Sequence, residues 1–231
     1  MKRKNVLNII VATLLLMSCS KEDEGSKISL DFSTKTLAKS SITKNLNTNV
    51  VFTDFKISIR DVIFKNDDDP NSNLDTDEIQ FRGPYQIDLL EGGDAISKTI
   101  GEVLVPDGLY KEMRFKFHKD ENLPTTDKLY DRSIYIEGTI DGVPFVFWHD
   151  TSENLDVGRS TGIKVQNNIV DFTVHFDISQ FMSSLHQLDL SEATDNNEDG
   201  LIEIFPNDED GNQELAKKLK ENIKAAANLL H

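Results

Sequence analysis

Apolar and polar residues alternate along much of this chain, and this two-residue period constrains the fold more than any other feature. Successive side chains of a β-strand point to opposite faces, so alternation collects the apolar residues on one face. The pattern is clearest in residues 134–148. Its apolar members are Ile134, Ile136 and Ile140 before Asp141-Gly142, and Val143, Phe145 and Phe147 after it. Asp-Gly between two such runs is typical of a two-residue hairpin turn, so the sequence predicts a β-hairpin here.

Further segments show the same period and are separated by residues that favour turns. They are residues 28–32, 55–64, 79–90, 100–105, 109–118, 169–176 and 201–205. With the hairpin they make about nine strands, and no helical pattern alternates with them. Such a series predicts a mainly β chain folded as an antiparallel β-sandwich of the transthyretin or immunoglobulin type.

Two segments predict helices near the C-terminus. The first is short and covers residues 178–186, with Asp177 or Ser179 as its cap. The second covers residues 212–230, with Asp210 or Asn212 as its cap. Its apolar stripe consists of Leu215, Leu219, Ile223, Ala226 and Leu230. A stripe at helical spacing predicts an amphipathic helix that packs on the sandwich.

The N-terminus has the proportions of an export signal. A basic stretch at residues 2–4 precedes an apolar stretch at residues 6–17, which is shorter than the roughly 20 residues that span a bilayer. The only cysteine, Cys19, follows directly. Leu-Met-Ser-Cys at residues 16–19 resembles a bacterial lipobox, which implies cleavage before Cys19 and a covalent lipid on its sulfur. We therefore expect a signal peptide at 1–18, a lipidated cysteine and acidic tether at 19–26, and one β-sandwich domain at 27–231.

The tether indicates the cellular location of the protein, and the net charge indicates which classes of partner are disfavoured. Ser-Lys-Glu-Asp-Glu at residues 20–24 resembles the surface-export signal of some Gram-negative lipoproteins. It implies the outer membrane with the domain on the cell surface; a solvated tether on the periplasmic face is the alternative. The chain has 40 acidic and 25 basic residues and a net charge of −15. That charge disfavours nucleic acid and an electrostatic grip on anionic lipids.

Five blocks together resemble a family of bacterial lipoprotein domains catalogued as a domain of unknown function, number 4382. They are Gly-Pro-Tyr-Gln-Ile-Asp-Leu-Leu at 83–90, Val-Pro-Asp-Gly-Leu-Tyr-Lys at 105–111, Ser-Ile-Tyr-Ile-Glu-Gly at 133–138, Val-His-Phe-Asp-Ile at 174–178 and the Asp-rich segment before the last helix. The resemblance spans about residues 27–230. It implies a secreted, lipid-anchored β-sandwich, and it supplies no catalytic residues.

Residues 195–203 match the first half of a calcium-binding loop. The candidate oxygen ligands are Asp195, Asn197, Asp199, the carbonyl of Leu201 and Glu203. The twelfth position of such a loop is normally glutamate but is Pro206 here, so Asp208 or Asp210 would have to supply the missing ligand. The alternative is an acidic turn that enters a strand. The acidic residues 66–78 are a weaker cation candidate.

Three further hypotheses concern metal or haem binding, sugar binding and catalysis. His118, His149 and His175 could bind haem or a transition metal, although none lies at a ligand-pair spacing and surface or strand-end positions explain them better. Trp148, the only tryptophan, is a weak candidate for stacking on a sugar, with Tyr85 and Tyr130 as the other aromatic candidates. No nucleophile, metalloprotease or phosphate-loop motif occurs, so we expect no enzyme.

These features predict a lipid-anchored envelope protein with a non-catalytic binding or structural role, stabilised by calcium if the acidic loop binds it. Its partners would be the membrane, through the lipid, and a glycan or protein ligand. Haem or transition-metal acquisition is the alternative function, and envelope hydrolysis is a weaker one.

Overall fold

The computed structural model describes residues 25–34, 48–183 and 188–231. The predicted signal peptide, Cys19 and the tether up to residue 24 lie outside the described residues, as does His186. The strands are β1 (Lys27–Thr34), β2 (Val50–Asn66), β3 (Tyr85–Glu91), β4 (Asp94–Ala95), β5 (Ser97–Leu104), β6 (Gly108–Phe117), β7 (Ile134–Ile140), β8 (Val143–His149), β9 (Asn154–Val165), β10 (Ile169–Phe176), β11 (Ile202–Ile204) and β12 (Ala227–Leu230). The helices are α1 (Ile178–Ser183), a 3₁₀ turn (Leu190–Glu192) and α2 (Gln213–Ala226).

The strands form two sheets that pack face to face, which confirms the predicted mainly β sandwich. The smaller sheet has the order β12-β10-β1-β5. The larger sheet has the order β11-β8-β7-β2-β3-β4, and β6 joins it by pairing with both β2 and β9. The predicted hairpin is also confirmed, because β7 and β8 pair antiparallel from Ile140 and Val143 at the turn to Ile134 and His149 at the far end.

Strand β2 organises the larger sheet because it is long enough to serve three partners. Its first half pairs with β7 and its second half with β6, while β3 pairs along the opposite edge. Just beyond the change from β7 to β6, the β2–β6 pairing has a register shift between Arg60 and Ile63. Asp61 lies inside this bulge with a φ of 53°, a left-handed conformation that aspartate adopts more readily than most residues.

The core lies between the two sheets and consists of the apolar residues that the alternation placed on one face. Ile28, Leu30 and Phe32 of β1 are fully buried, as are Phe172 and Val174 of β10. Aromatic rings join the sheets edge to face, as in the pair Phe32–Phe115 with ring centres 5.5 Å apart. Burial of the apolar face in both sheets therefore fixes the strand registers.

The structure differs from the sequence prediction in the pairing of several strands. The sandwich is not wholly antiparallel, because β1 pairs parallel with β10 and β11 pairs parallel with β8. Strand β9 was not predicted at all. Its alternation is interrupted between Val157 and Ile163 by a polar stretch that contains two glycines, so no continuous period-two pattern marks it.

The predicted C-terminal helix is four residues too long. Helix α2 ends at Ala226, and Ala227–Leu230 form the edge strand β12, which pairs antiparallel with β10. Leu230, assigned to the apolar stripe, is exposed, and Leu229 is buried instead. Pairing with the edge of the smaller sheet therefore outweighs the helical periodicity of the last turn.

The two helices pack together at one end of the sandwich. Asp177 caps α1, since its side chain accepts a hydrogen bond from the backbone N–H of Gln180. The amide of Asn222, buried in α2, donates to the carbonyl of Phe181 in α1 at 3.0 Å. In the part of the chain that the structure describes, no helix is both long and apolar enough to cross a membrane.

Candidate functional site

The acidic segment around β11 protects an open sheet edge. Strand β11 pairs with β8 on one side only, so the backbone groups of Glu203 and Phe205 on its other side need different partners. Asp210 Oδ2 accepts from the Glu203 N–H at 2.8 Å, and Asp208 Oδ2 accepts from the Phe205 N–H at 3.2 Å. The Asn212 amide donates to the Glu203 carbonyl at 2.7 Å. Three side chains thus replace a neighbouring strand.

Asp210 also fixes the preceding turn. Its side chain is fully buried, and its Oδ1 accepts from the backbone N–H groups of Asn196 and Asn197 at 2.9 and 3.1 Å. Asp208 is almost fully buried and accepts from the Asn212 N–H at 2.8 Å. The sequence suggested Asp208 and Asp210 as replacement calcium ligands. Their carboxylate oxygens instead accept hydrogen bonds from backbone N–H groups.

Three of the predicted calcium ligands lie together in one turn. Asp195 Oδ1 and Asn197 Oδ1 both accept from the Asp199 N–H, at 3.2 and 3.0 Å, which places the two oxygens side by side. Asp199 Oδ1 accepts from the Leu201 N–H at 2.9 Å. These oxygens are of the hard type that calcium prefers, and the arrangement fits the first three positions of such a loop.

Two predicted ligands remain, the Leu201 carbonyl and, on β11, Glu203. The Glu203 side chain lies on the outer face of the larger sheet and lines a groove there. Burial and the nearby carboxylates, Asp210 first, raise its pKa. Within the described ranges, no group of three or more histidine, cysteine, aspartate or glutamate side chains is arranged to hold a metal. The calcium site stays a prediction, and the Asp199 carboxylate lies near enough to Glu203 to contribute to its raised pKa.

The groove runs along the outer face of β7, β8 and β11 and has a volume of about 600 Å³. We call it the outer-face groove; its central residues are Arg132, Tyr135, Glu137, Val146, Trp148, Glu203 and Phe205. Strand register sets their order, because Tyr135 lies opposite Trp148 and Glu137 lies opposite Val146. Val146 in turn lies beside Glu203 of β11. A row of aromatic rings therefore runs next to a row that has a carboxylate at each end.

Cationic side chains lie against the rings of the aromatic row. Trp148 stacks on Phe205 with ring centres 4.7 Å apart and planes inclined by 21°. Since Phe205 covers one face of the indole, the Arg132 guanidinium lies over the other, 5.0 Å from the ring centre. Arg132 also lies 5.7 Å from the centre of the Tyr135 ring. These cation–π contacts hold Trp148 in place and leave its edge facing the groove.

The carboxylate at the β7 end is firmly held by neighbouring groups. Glu137 accepts from the Tyr135 hydroxyl and from Lys128 Nζ, the latter at 2.5 Å. Lys128 also donates to Asp54 at 3.3 Å. Burial, reinforced by the Glu137 carboxylate, raises the pKa of Tyr135, so its hydroxyl stays protonated at neutral pH. This end of the groove is therefore preorganised before any ligand arrives.

The other residues singled out by the sequence do not join the groove. Neither Tyr85 nor Tyr130 lines it, and Tyr85 instead contacts Phe81 in the core. His175 lies on the smaller sheet, where its Nδ1 is 3.1 Å from the Ser33 hydroxyl. His118 directly follows β6 and His149 ends β8, and burial lowers the pKa of both. The structure therefore does not bring the described residues His118, His149 and His175 together into a metal-binding group.

Several groove residues escaped the sequence analysis. Tyr135 and Glu137 could have been found from the hairpin, because its two-residue turn fixes which residues face Trp148 and Val146. The position of Phe205 beside Trp148 depends on the parallel pairing of β11 with β8, and no local sequence pattern predicts that pairing. Arg132 precedes β7, and only the folded chain brings it over the indole.

Comparison of the chain with protein-family models, with curated proteins and with solved structures gave no match. The functional argument therefore depends on the residues and the geometry described above.

Proposed function

We propose that this protein is a lipid-anchored, non-catalytic binding protein of the bacterial cell envelope, and that it holds its ligand in the outer-face groove. The groove is the observation that carries the proposal. Its volume falls within the range of about 300–1,000 Å³ common for ligand sites. It combines aromatic rings with a few fixed polar groups, as such sites do.

The sequence supports the envelope part of the proposal. A lipid on Cys19 would anchor the chain in the outer membrane, with the domain on the cell surface and the periplasmic face as the alternative. Residues 19–25 would link the lipid to Ser26, which is buried in the sandwich, and a seven-residue chain reaches at most about 25 Å. The sandwich would then lie close to the bilayer while its groove stays open to envelope glycans or proteins.

The acidic loop has a supporting role in this proposal. A calcium ion held by Asp195, Asn197 and Asp199, with the Leu201 carbonyl, would tighten the turn that enters β11. Because β11 carries Glu203 and precedes Phe205, a tighter turn would stabilise one wall of the groove. Calcium would thus stabilise the binding site without contacting the ligand.

The anchor is tested by metabolic labelling with palmitate in a Gram-negative host. The wild-type chain should incorporate label and remain with the outer membrane, whereas Cys19→Ser should do neither. External protease should digest the wild-type protein on intact cells if it is displayed on the surface. Absence of label on the wild-type chain would contradict the proposed anchoring.

The groove is tested by the fluorescence of Trp148, the only tryptophan of the chain. Purified envelope polysaccharide and protein fractions are titrated into residues 20–231, and the ligand is checked for cleavage afterwards. We expect a saturable change in emission with the ligand intact. Val146→Lys should block it, while Thr173→Lys on the outer face of the smaller sheet should not. Binding that ignores Val146→Lys, or turnover of the ligand, would refute the proposal.

A further inference from the structure

Two opposite charges in the outer-face groove have no charged partner among the described residues. Arg132 makes cation–π contacts and donates one long hydrogen bond, 3.3 Å, to the Lys128 carbonyl. The Glu203 carboxylate accepts no hydrogen bond from the described part of the chain, although the Glu203 backbone is fully bonded. The other charged groups at the groove, Glu137 and Lys128, neutralise each other.

These two groups flank the apolar centre of the groove. Glu203 stands on β11 beside Val146, and Arg132 lies over Trp148 on the neighbouring row. Adjacent strands are about 4.8 Å apart, so the row from Glu137 across Val146 to Glu203 spans about 10 Å. A ligand in the centre would therefore meet a strong donor on one side, a strong acceptor on another, and apolar surface beneath.

The pair of charges restricts the ligand by its sign. A polyanion would gain Arg132 but would meet Glu203, in a chain whose net charge is −15. A polycation would gain the Glu203 carboxylate but would have to approach the Arg132 guanidinium. A neutral molecule rich in hydroxyl groups satisfies both, since each hydroxyl can donate to a carboxylate and accept from a guanidinium.

We propose that the outer-face groove binds an uncharged sugar ring, a hexopyranose unit of a neutral glycan. Glu203 accepts hydrogen bonds from its hydroxyls, Arg132 donates to them, and the C–H groups of the ring contact Val146 and the edges of Trp148 and Phe205. The proposal rests on the proposed function and narrows its ligand to one chemical class. It also explains why the indole needs no free face, because its edge and the neighbouring apolar surface receive the sugar.

The test uses residues 20–231 and six defined probes, measured by calorimetry. Three are neutral: linear hexamers of glucose, mannose and galactose. One is anionic, a hexagalacturonate, and two are cationic, a glucosamine hexamer and hexalysine. We expect at least one neutral probe to bind at millimolar concentration or below. Loss of one charged hydrogen bond should weaken it about tenfold or more in Glu203→Gln and in Arg132→Gln.

Matched controls remove the same charges at exposed positions away from the groove. Glu91→Gln and Arg82→Gln should bind within about twofold of the wild type, because rim charges distant from a neutral ligand contribute little. Thermal melts of all four variants check that each is folded. A folded variant that binds normally after losing Glu203 or Arg132 would contradict the assigned contacts.

The remaining outcomes separate this proposal from the function on which it rests. Binding of hexalysine or hexagalacturonate alone, with the Trp148 emission changed, would refute the neutral sugar and keep the groove as a binding site. Failure of every neutral probe at millimolar concentration would refute the sugar in the same way. If envelope fractions also leave Trp148 unchanged, the binding function itself fails.

Discussion

Asp210 is a small side chain whose removal should lower the free energy of unfolding by a large amount. Its fully buried carboxylate accepts three backbone N–H groups, from Asn196, Asn197 and Glu203, at 2.8–3.1 Å. Two of these donors belong to the turn and the third to the open edge of β11. Asp210→Ala would leave all three without their acceptor in a site closed to water.

The expected cost follows from those three bonds. A hydrogen bond to a charged acceptor contributes about 1.5–3 kcal/mol, and the values are not additive when the segment can relax. We therefore expect Asp210→Ala to lower the free energy of unfolding by about 3–5 kcal/mol. For a domain of this size that corresponds to a fall in Tm of about 10 °C. Asp210→Asn, which keeps the shape and one acceptor oxygen, should cost less.

The assay is urea unfolding followed by the fluorescence of Trp148, which stacks on Phe205 at the end of β11. Glu209→Ala is the matched control, because Glu209 is adjacent, acidic and exposed. It should change the stability by no more than about 0.5 kcal/mol. A cost below about 1 kcal/mol for Asp210→Ala would refute the role of this carboxylate as an edge cap.

Three further predictions test other parts of the molecule. Calcium in excess over EDTA should raise the Tm by several degrees, because a hundredfold excess over Kd gives about 2.7 kcal/mol of stabilisation. Asp199→Ala should abolish this rise. If the wild type shows no shift, the loop is an acidic turn and not a calcium site. Glu153 binds two lysines of α2, which lower its pKa from 4.5 to about 2. Because this pKa is lower in the folded than in the unfolded chain, the ionised carboxylate stabilises the fold above pH 4.5, and this stabilisation is lost as the pH falls to 2. The higher Tm of the wild type relative to Glu153→Gln should therefore vanish across that range, and a constant difference would contradict the prediction. At Gly138 an added Cβ would overlap the backbone oxygen of Val51, so Gly138→Ala should cost about 3 kcal/mol or more in urea unfolding, and a neutral effect would refute the packing of β7 on β2.

Local patterns were enough to predict most strands and the sandwich class, since burial of one face leaves a period-two signature in the sequence. The hairpin at Asp141-Gly142 was predicted to the residue because turn length alone sets its register. The parallel pairs β1–β10 and β11–β8 depend on contacts between distant segments, and local alternation is the same for either direction. The end of α2 was misplaced because Ala227–Leu230 satisfy both a helical stripe and a strand.

The candidate site was predictable only in part for the same reason. The Asp-rich loop was identified from its spacing, but the use of Asp208 and Asp210 on the edge of β11 depends on a turn that brings the chain back to that edge. Trp148 was singled out as an aromatic candidate. Its enclosure between Phe205 and Arg132 required three segments to meet on one sheet face.

The most direct test of the central claim is the indole N–H resonance of Trp148, a single peak in a ¹H–¹⁵N correlation spectrum because the chain has one tryptophan. Residues 20–231 are titrated with the neutral hexasaccharides and with purified envelope polysaccharide. The account predicts that this peak moves together with the amides of Val146 and Glu203, while the smaller sheet stays unchanged. A ligand that shifts amides elsewhere and leaves the indole peak in place would contradict the account.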